Sequence, residues 1–556
     1  MRGRRRVAPA CLVLLVAVAG CGEDRAPPVV GPAPLRRMSN REYLNALADL
    51  FPDQSPALPA LPNDADVAGF ENAAEAQQPS DLRIARFEAI ANLYAQGATR
   101  DAAAVHALVG CDSWTTPSQA TACGNQLIER TGRRLFRRPL TVEEQDRFAL
   151  RFASWKTSID FEAAVQLTLA AMLQSPQFLY RPELGPEPGP ELGPASADPA
   201  AAAGAAPALA SIEPYAMASR LSFFLWESVP DDALLEAAAN NALHSEAQLV
   251  AQATRMLDDP RARRMLWDFH RQWLGLDRVL GDEHQLRTPE VDPGWTAATP
   301  AAAIDESRRF VESVASEGTL HDLLTSRRAW VNADMARIYG VPAPADPAAW
   351  QEVELPAGER AGLLTRAAFL AGTSHRGGTS PPIRGNAVQL RLLCRLPVSP
   401  PPGVDLSMPT GNPADGPRTN RMLFEDRTAP PPCQSCHRGL NGIGFGFEHY
   451  NAAGRFQSTE QGLPIDATGL VDGADIAQPF DGALELSAAL SDSELVHHCA
   501  AQQWLRYALG RAPVARETLL VNALAEHFYA SGGNVRALLL EIVTAPTFRM
   551  RQLQDP

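Results

Sequence analysis

Cys433, Cys436 and His437 form a Cys-x-x-Cys-His within PPPCQSCHRGLNGIGFGFEHYNAAGRF, residues 430–456. Covalent attachment of a c-type haem needs two thiols, one for each vinyl group, and an imidazole just beyond them to meet the iron. This spacing supplies all three on one helical turn. On this reading Cys433 and Cys436 hold one covalent haem c and His437 ligates its iron. Other readings of the same residues stay open. A structural zinc site would need a fourth ligand such as His449 or Cys499. A thioredoxin-like redox pair would need a βαβ setting that this segment lacks. A Cys433–Cys436 disulfide, or two unused thiols, would leave the segment without a cofactor.

With haem bound, the sixth ligand decides the chemistry. Methionine well downstream of the histidine serves small electron carriers, but the sole methionine after His437 is Met550, near the end of the chain. Met408, Met422 and His449 are the candidate sixth ligands. Without one of them the iron is five-coordinate and open to a small ligand, as peroxide or oxygen chemistry requires. Arg438 and Arg455 have the chemistry to pair with haem propionates, although the default for an exposed arginine is a solvated surface.

Three further constellations carry reactive types. TSHRGGTSPPIRG places His375, Ser380 and Arg384 at a glycine-rich loop opening a helix, an arrangement suited to an anion or a propionate. As a nucleophile site it lacks a Gly-x-Ser-x-Gly and an acid partner, so a structural cap is the better reading. His270 lies beside Phe269, Trp273 and Leu274 at helical spacing and reads as a core histidine. His497 and His498, next to Cys499, read as a partly exposed pair.

The chain begins MRGRRRVAPACLVLLVAVAGC: a basic segment, a short apolar run, then small residues before Cys21. This is an export signal, and Val18-Ala19-Gly20-Cys21 fits the bacterial lipobox, which makes Cys21 the acylated first residue of the mature protein. No later stretch reaches the roughly 18 unbroken apolar residues of a membrane helix. Attachment to the membrane therefore falls to the N-terminal lipid alone. The expected location is the bacterial cell envelope, on the periplasmic face or the outer surface. The formal charge of −14 becomes −18 once Arg2, Arg4, Arg5 and Arg6 leave with the signal, which argues against a nucleic-acid partner. Of the eight cysteines, Cys111 and Cys123 bracket a short polar loop that suits a local disulfide. Cys394 and Cys499 would pair across the motif segment, with buried free thiols as the alternative.

The elements that position these residues read as helices. LRRMSNREYLNALADLF carries a capping box, Ser39 with Glu42, and an apolar stripe of Tyr43, Leu44, Leu47 and Leu50. LFRRPLTVEEQDRFALRF repeats the device with Thr141 and Glu144. A helix through FEAAVQLTLAAMLQSPQFLYR is expected to end near Pro182, and Pro230 to stop the helix of PYAMASRLSFFLWESV, with Asp231 or Asp232 capping the next. Alternating Val/Ile runs are scarce, so the fold class is mainly α: a multi-domain helical body with a small c-type-cytochrome-like segment near the C-terminus. Composition divides the chain into a signal (1–21), a tether (22–34), an N-terminal helical domain (35–183) and a Pro/Ala/Gly linker (184–212). A central helical domain (213–345), a helix-loop-helix module (357–397), the Pro-rich lead-in with the motif (398–475) and a C-terminal helical module (476–556) follow.

The ordered series LRRMSNREYLNALADLF, RLFRRPLTVEEQ, MLQSPQFLYRPE, ASRLSFFLWESVPDDALL, RQWLGL, GLLTRAAFLAGTSHRGGTSPPIRG, CQSCHRGLNGIGFGFEHYNAAGRF and WLRYALGR resembles planctomycete-type exported cytochrome-like multi-domain proteins. Their modules are domains of unknown function: DUF1587, DUF1595, DUF1592, DUF1588 and DUF1585. The resemblance implies an envelope protein binding haem through Cys433, Cys436 and His437, and brings no established activity. Relatives often show His-Arg or His-Ser shortly before the first cysteine, and Asp-Pro after the His-Arg stretch. Here those places hold Asp426-Arg427 and Asn441-Gly442. The function expected is electron transfer to an unknown redox partner, or haem-dependent oxidation. The alternative is a haem-free structural or binding lipoprotein with a cell-surface protein partner.

Overall fold

Side-chain caps written in the sequence open the helices. Ser39 accepts the Glu42 N–H while the Glu42 carboxylate accepts the Ser39 N–H at 2.7 Å, starting the helix Asn40–Leu50. Thr141 and Glu144 do the same for Val142–Ser158, and Asp231 caps Asp232–Ala239. Tyr43, Leu47 and Leu50 face inward, but Leu44 stands exposed. It follows Tyr43 by one residue, about 100° around the helix, and so leaves the buried stripe.

The computed structural model describes residues 30–183, 209–281, 292–375, 378–396 and 402–552, apart from 405–406, 412–413, 415 and 477. The signal with Cys21, the tether up to residue 29 and residues 184–208 of the expected 184–212 linker lie outside the described residues, while the linker's last residues include a strand, Leu209–Ser211. Within them the chain is mainly helical, and its strands are short, forming five two-stranded antiparallel pairs. Among the described residues no helix is long and apolar enough to cross a membrane.

Two boundaries differ from the sequence reading. The helix expected to reach Pro182 ends at Leu173, because Ser175 precedes Pro176 and takes an extended conformation. After the turn Pro176–Leu179, Tyr180–Arg181 pairs with Arg36–Arg37 and closes the N-terminal region on itself. The helix Pro214–Leu225 likewise ends before Pro230 is reached, where Glu227 adopts a left-handed φ of 54°.

One apolar core gathers Tyr43, Leu47, Ile90, Leu127, Leu169 and Phe178 of the N-terminal helices. A second takes in Phe70 and runs on from Ile212 to Phe548, with Phe310, Phe369, Phe447 and Trp504, so the motif segment shares its core with the central and C-terminal helices. Trp504 stacks on Phe269 at 3.4 Å between ring centroids. Leu209–Ser211 pairs with Met550–Gln552, tying the two ends of this body together. Arg366 and Glu306 form an ion pair with both side chains fully buried, and Tyr339 donates to Glu306 at 3.1 Å. Both expected disulfides are present. Cys111–Cys123 has a Cα separation of 5.9 Å; Cys394–Cys499, with 5.4 Å, spans 105 residues and brackets the motif.

Candidate functional site

The motif lies on the helix Pro431–Gly444, which starts with proline in its first turn, where no intrahelical N–H is needed. This helix crosses Pro381–Arg391 at backbone contact. A Cβ on Gly385 would fall on the Leu440 carbonyl, and one on Gly444 on the Pro381 carbonyl, so each glycine makes room for the other helix. From the same partner helix, the buried Arg384 donates to the carbonyls of Phe447 (2.9 Å), Tyr450 (3.0 Å) and Asn451 (3.1 Å) and to the Ser374 hydroxyl (3.1 Å). The chain leaving the motif helix is thereby fixed to the helix beneath it.

A hydrogen-bond chain sets the orientation of His437. Thr428 donates its hydroxyl proton to the Phe424 carbonyl at 2.7 Å, so its oxygen is free to accept from Asn441 Nδ2 at 3.0 Å. The Asn441 amide is thus turned with Oδ1 toward His437 Nδ1, 3.3 Å away. An amide oxygen only accepts, so the proton sits on Nδ1 and Nε2 keeps its lone pair. Cys433 is half-buried, Cys436 is exposed, and both are free thiols. The two thiols stand three residues apart on one regular helix. His437 and Asn441 line an open cavity of about 530 Å³ whose walls include Arg421, Glu425, Arg438 and Phe445.

The cations on this wall are already engaged. Arg421 pairs with Glu425 (2.9 Å) and Asp466 (3.0 Å) and lies over the Phe445 ring at 4.4 Å. Arg438 is exposed, 3.5 Å from Asp472. Arg455 is elsewhere, held by Asp292 at 2.8 Å and by the Arg337 carbonyl, so of the two expected propionate partners Arg438 alone borders the cavity.

None of the candidate sixth ligands lines this cavity. His449 turns Nδ1 to the Gln457 carbonyl at 3.0 Å and stacks on Phe456. Met422 is exposed, and Met408 lies against Gly378. The fourth zinc ligand is lost too: Cys499 is in its disulfide, and no group of three or more His, Cys, Asp or Glu side chains suited to a metal occurs among the described residues. From the expected constellation at 375–384, Arg384 has a structural role, but Ser380 does not make the expected side-chain cap. Arg384 spends its donors on carbonyls, and Ser380 stands at the N-cap without a side-chain bond. His270 is fully buried, donates to the Leu266 carbonyl at 2.7 Å and is pushed down to about 4 by burial. His497 is buried against the Ser493 carbonyl while the half-buried His498 meets Asn522, so the two do not act as a pair.

Two residues of this region escaped the sequence reading. Asn441 had a signal, its position four residues after His437 on one helix face. Glu448 had none. It is buried, accepts from Asn420 at 3.0 Å, leaves Oε1 without a partner, and is pushed up to about 7, chiefly by burial.

Fold and site together define a multi-module helical protein with a single free Cys-x-x-Cys-His on a clamped helix. Five family profiles match the chain in order, each described as a protein of unknown function: DUF1587 over 36–100, DUF1595 over 123–183, DUF1592 over 212–341, DUF1588 over 360–460 and DUF1585 over 477–548. The profile covering the motif bears the short name PSCyt3. The chain belongs to the family of multi-domain proteins built from this series. No curated protein and no solved structure matches it.

Proposed function

We propose that this is an exported, lipid-anchored c-type cytochrome-like protein of the bacterial cell envelope, working in electron transfer or haem-dependent oxidation. The observation that carries the reading is the Thr428–Asn441–His437 chain, which leaves the Nε2 lone pair of His437 free beside a cavity, one turn from two free thiols. Residue chemistry fits covalent haem: Cys433 and Cys436 offer the thioether sulfurs, His437 the axial nitrogen, and Asn441 the outer hydrogen bond that orients an axial imidazole. Bound haem would supply one-electron chemistry, or peroxide or oxygen chemistry if its sixth position is open.

The remaining work falls to the chain itself. Asn441 holds the tautomer, Gly385 and Arg384 hold the helix, and Phe445 gives the cavity an apolar wall. The placement of Met408, Met422 and His449 away from the cavity favours an iron without a protein-derived sixth ligand. Export and lipidation at Cys21 rest on the N-terminal sequence, and an acidic surface suits docking to a redox or cell-surface protein partner.

The test is the pyridine haemochrome spectrum of the exported protein, co-expressed with a cytochrome c maturation system, beside Cys433→Ala/Cys436→Ala. The expected result is a c-type α band in the parent and none in the variant. Absence of haem from both, while a control cytochrome matures in the same cells, would end this reading and leave a haem-free binding lipoprotein.

A further inference from the structure

A second cavity, of about 660 Å³, lies apart from the motif. Its walls come from the loop Asp66–Phe70, Trp273 of the helix Ala262–Leu274, the stretch Leu390–Leu396 at the end of Pro381–Arg391, and Gln502, Gln503 and Arg506 of Glu494–Leu509. The chain carries 64 acidic against 50 basic residues, yet this cavity gathers three guanidiniums, those of Arg391, Arg395 and Arg506, with Asp66 as its one carboxylate.

None of the three has a carboxylate within ion-pair distance among the described residues. Arg391 makes a single hydrogen bond, from Nη1 to the Gln272 carbonyl at 3.3 Å. Arg506 donates to the Ala68 carbonyl (3.1 Å) and to Gln503 Oε1 (3.0 Å), and its Nε is buried without an acceptor. Arg395 donates to the carbonyls of Asp472 (2.8 Å) and Gly473 (2.7 Å). Asp66 turns Oδ1 to the Gly69 N–H at 2.6 Å. Several buried arginines carry more partners, Arg366 pairing with Glu306, Arg511 with Glu517, Arg220 with Glu183 and Arg384 having four acceptors, although Arg366 and Arg384 also leave Nε without one. Burial draws the pKa of both Arg391 and Arg506 down, as expected of cations short of counter-charge. Trp273 and Phe70 add aromatic surface, and the Trp273 N–H is already bonded to the Arg391 carbonyl at 2.6 Å.

We propose that this cavity is a binding site for a small organic polyanion: a molecule with two or more phosphate or carboxylate groups, taken up by Arg391, Arg395 and Arg506, with its body against Trp273 and Phe70. Guanidinium forks match the paired oxygens of both groups, and the volume suits a small ligand. The inference is independent of haem at His437.

The experiment is calorimetric titration of the full exported protein with pyrophosphate and, separately, with citrate at low ionic strength. Saturable binding of at least one anion is expected, weakened by added salt. Binding should fall at least about tenfold in Arg391→Gln and in Arg506→Gln, and stay unchanged in Arg421→Gln at the His437 cavity. Arg395→Gln removes a half-exposed side chain. It keeps the fold and should weaken binding at least about threefold, which decides the matter if either deeper variant fails to unfold cooperatively. Preference for pyrophosphate would assign a phosphate ligand, and preference for citrate a carboxylate one. No binding of either anion below about 10 mM, or affinity unchanged in the folded arginine variants, would overturn the proposal.

Discussion

Arg384→Met removes the clamp behind the motif helix, and its cost follows from the bonds it breaks. The guanidinium satisfies three carbonyls and one hydroxyl, and two of those carbonyls belong to the buried Phe447 and Tyr450. Burial draws the arginine down to about 10, so it is a cation at neutral pH. Each hydrogen bond to a charged group contributes about 1.5–3 kcal/mol, and each buried acceptor left unpaired costs about 1–3 kcal/mol. Against these stands the desolvation of the cation, which the methionine no longer suffers. The balance is an expected loss of about 3–5 kcal/mol, a large fraction of the roughly 5–15 kcal/mol that holds a domain folded. Urea unfolding of the two proteins measures it, and limited proteolysis should find new cleavage after residue 444. Arg384→Lys keeps a charge but not the planar fork, and should recover only part of the loss. A loss below about 1 kcal/mol for Arg384→Met, with no new cleavage, would refute the clamp.

Gly385→Ala drives a methyl into the Leu440 carbonyl and should cost about 1–3 kcal/mol in the same unfolding assay; an unchanged midpoint would mean the two helices separate freely. Glu448 titrates near 7 in the folded chain against 4.5 as its ordinary value, because burial disfavours the carboxylate. The folded state therefore holds a proton that the unfolded chain releases, and stability falls as pH rises from 4.5 through 7, by about 3 kcal/mol in all. Glu448→Gln should then be stabilising at pH 8 and nearly neutral at pH 4, and equal effects at both pH values would contradict this. Cys394→Ser/Cys499→Ser opens a loop of 105 residues and should cost about 4–5 kcal/mol by calorimetry, while a loss near zero would show that the clamp lies in packing alone.

Local chemistry was legible in the sequence. The capping boxes at Ser39 and Thr141, both disulfides, the buried His270 and the mainly helical class follow from patterns within a few residues or from cysteine arithmetic. Leu44 misled because a stripe of four apolar residues is wider than the face that packing buries. Pro182 and Pro230 misled because Ser175–Pro176 and the left-handed Glu227 end the helices first. At the site, residue types and spacing pointed to Cys433, Cys436 and His437 but not to their setting. The actual partners of Arg384 were not legible, because nothing local shows that Phe447, Tyr450 and Asn451 return to it from more than sixty positions away. Arg455 failed for the same reason: its partner, Asp292, is 163 residues distant. The polyanion cavity joins four stretches between residues 66 and 506, and no motif announces it.

The body around the motif makes sense as a device for fixing one imidazole. A Cys-x-x-Cys-His on a free helix would leave His437 able to turn and to carry its proton on either nitrogen. Here Gly385 brings a second helix to backbone contact, Arg384 pins the chain beyond it, and Thr428 turns the Asn441 amide so that only its oxygen meets Nδ1. A carboxylate at position 441 would accept from Nδ1 whichever way it turned. An amide does so in one orientation only, which makes Thr428 part of the arrangement in this protein. Long-range proton–nitrogen NMR on histidine-labelled protein should therefore find neutral His437 as the Nδ1–H tautomer in the parent, and a mixture in both Asn441→Leu and Thr428→Val. An Nε2–H tautomer in the parent would sink the orientation argument, and with it the observation on which the haem reading rests.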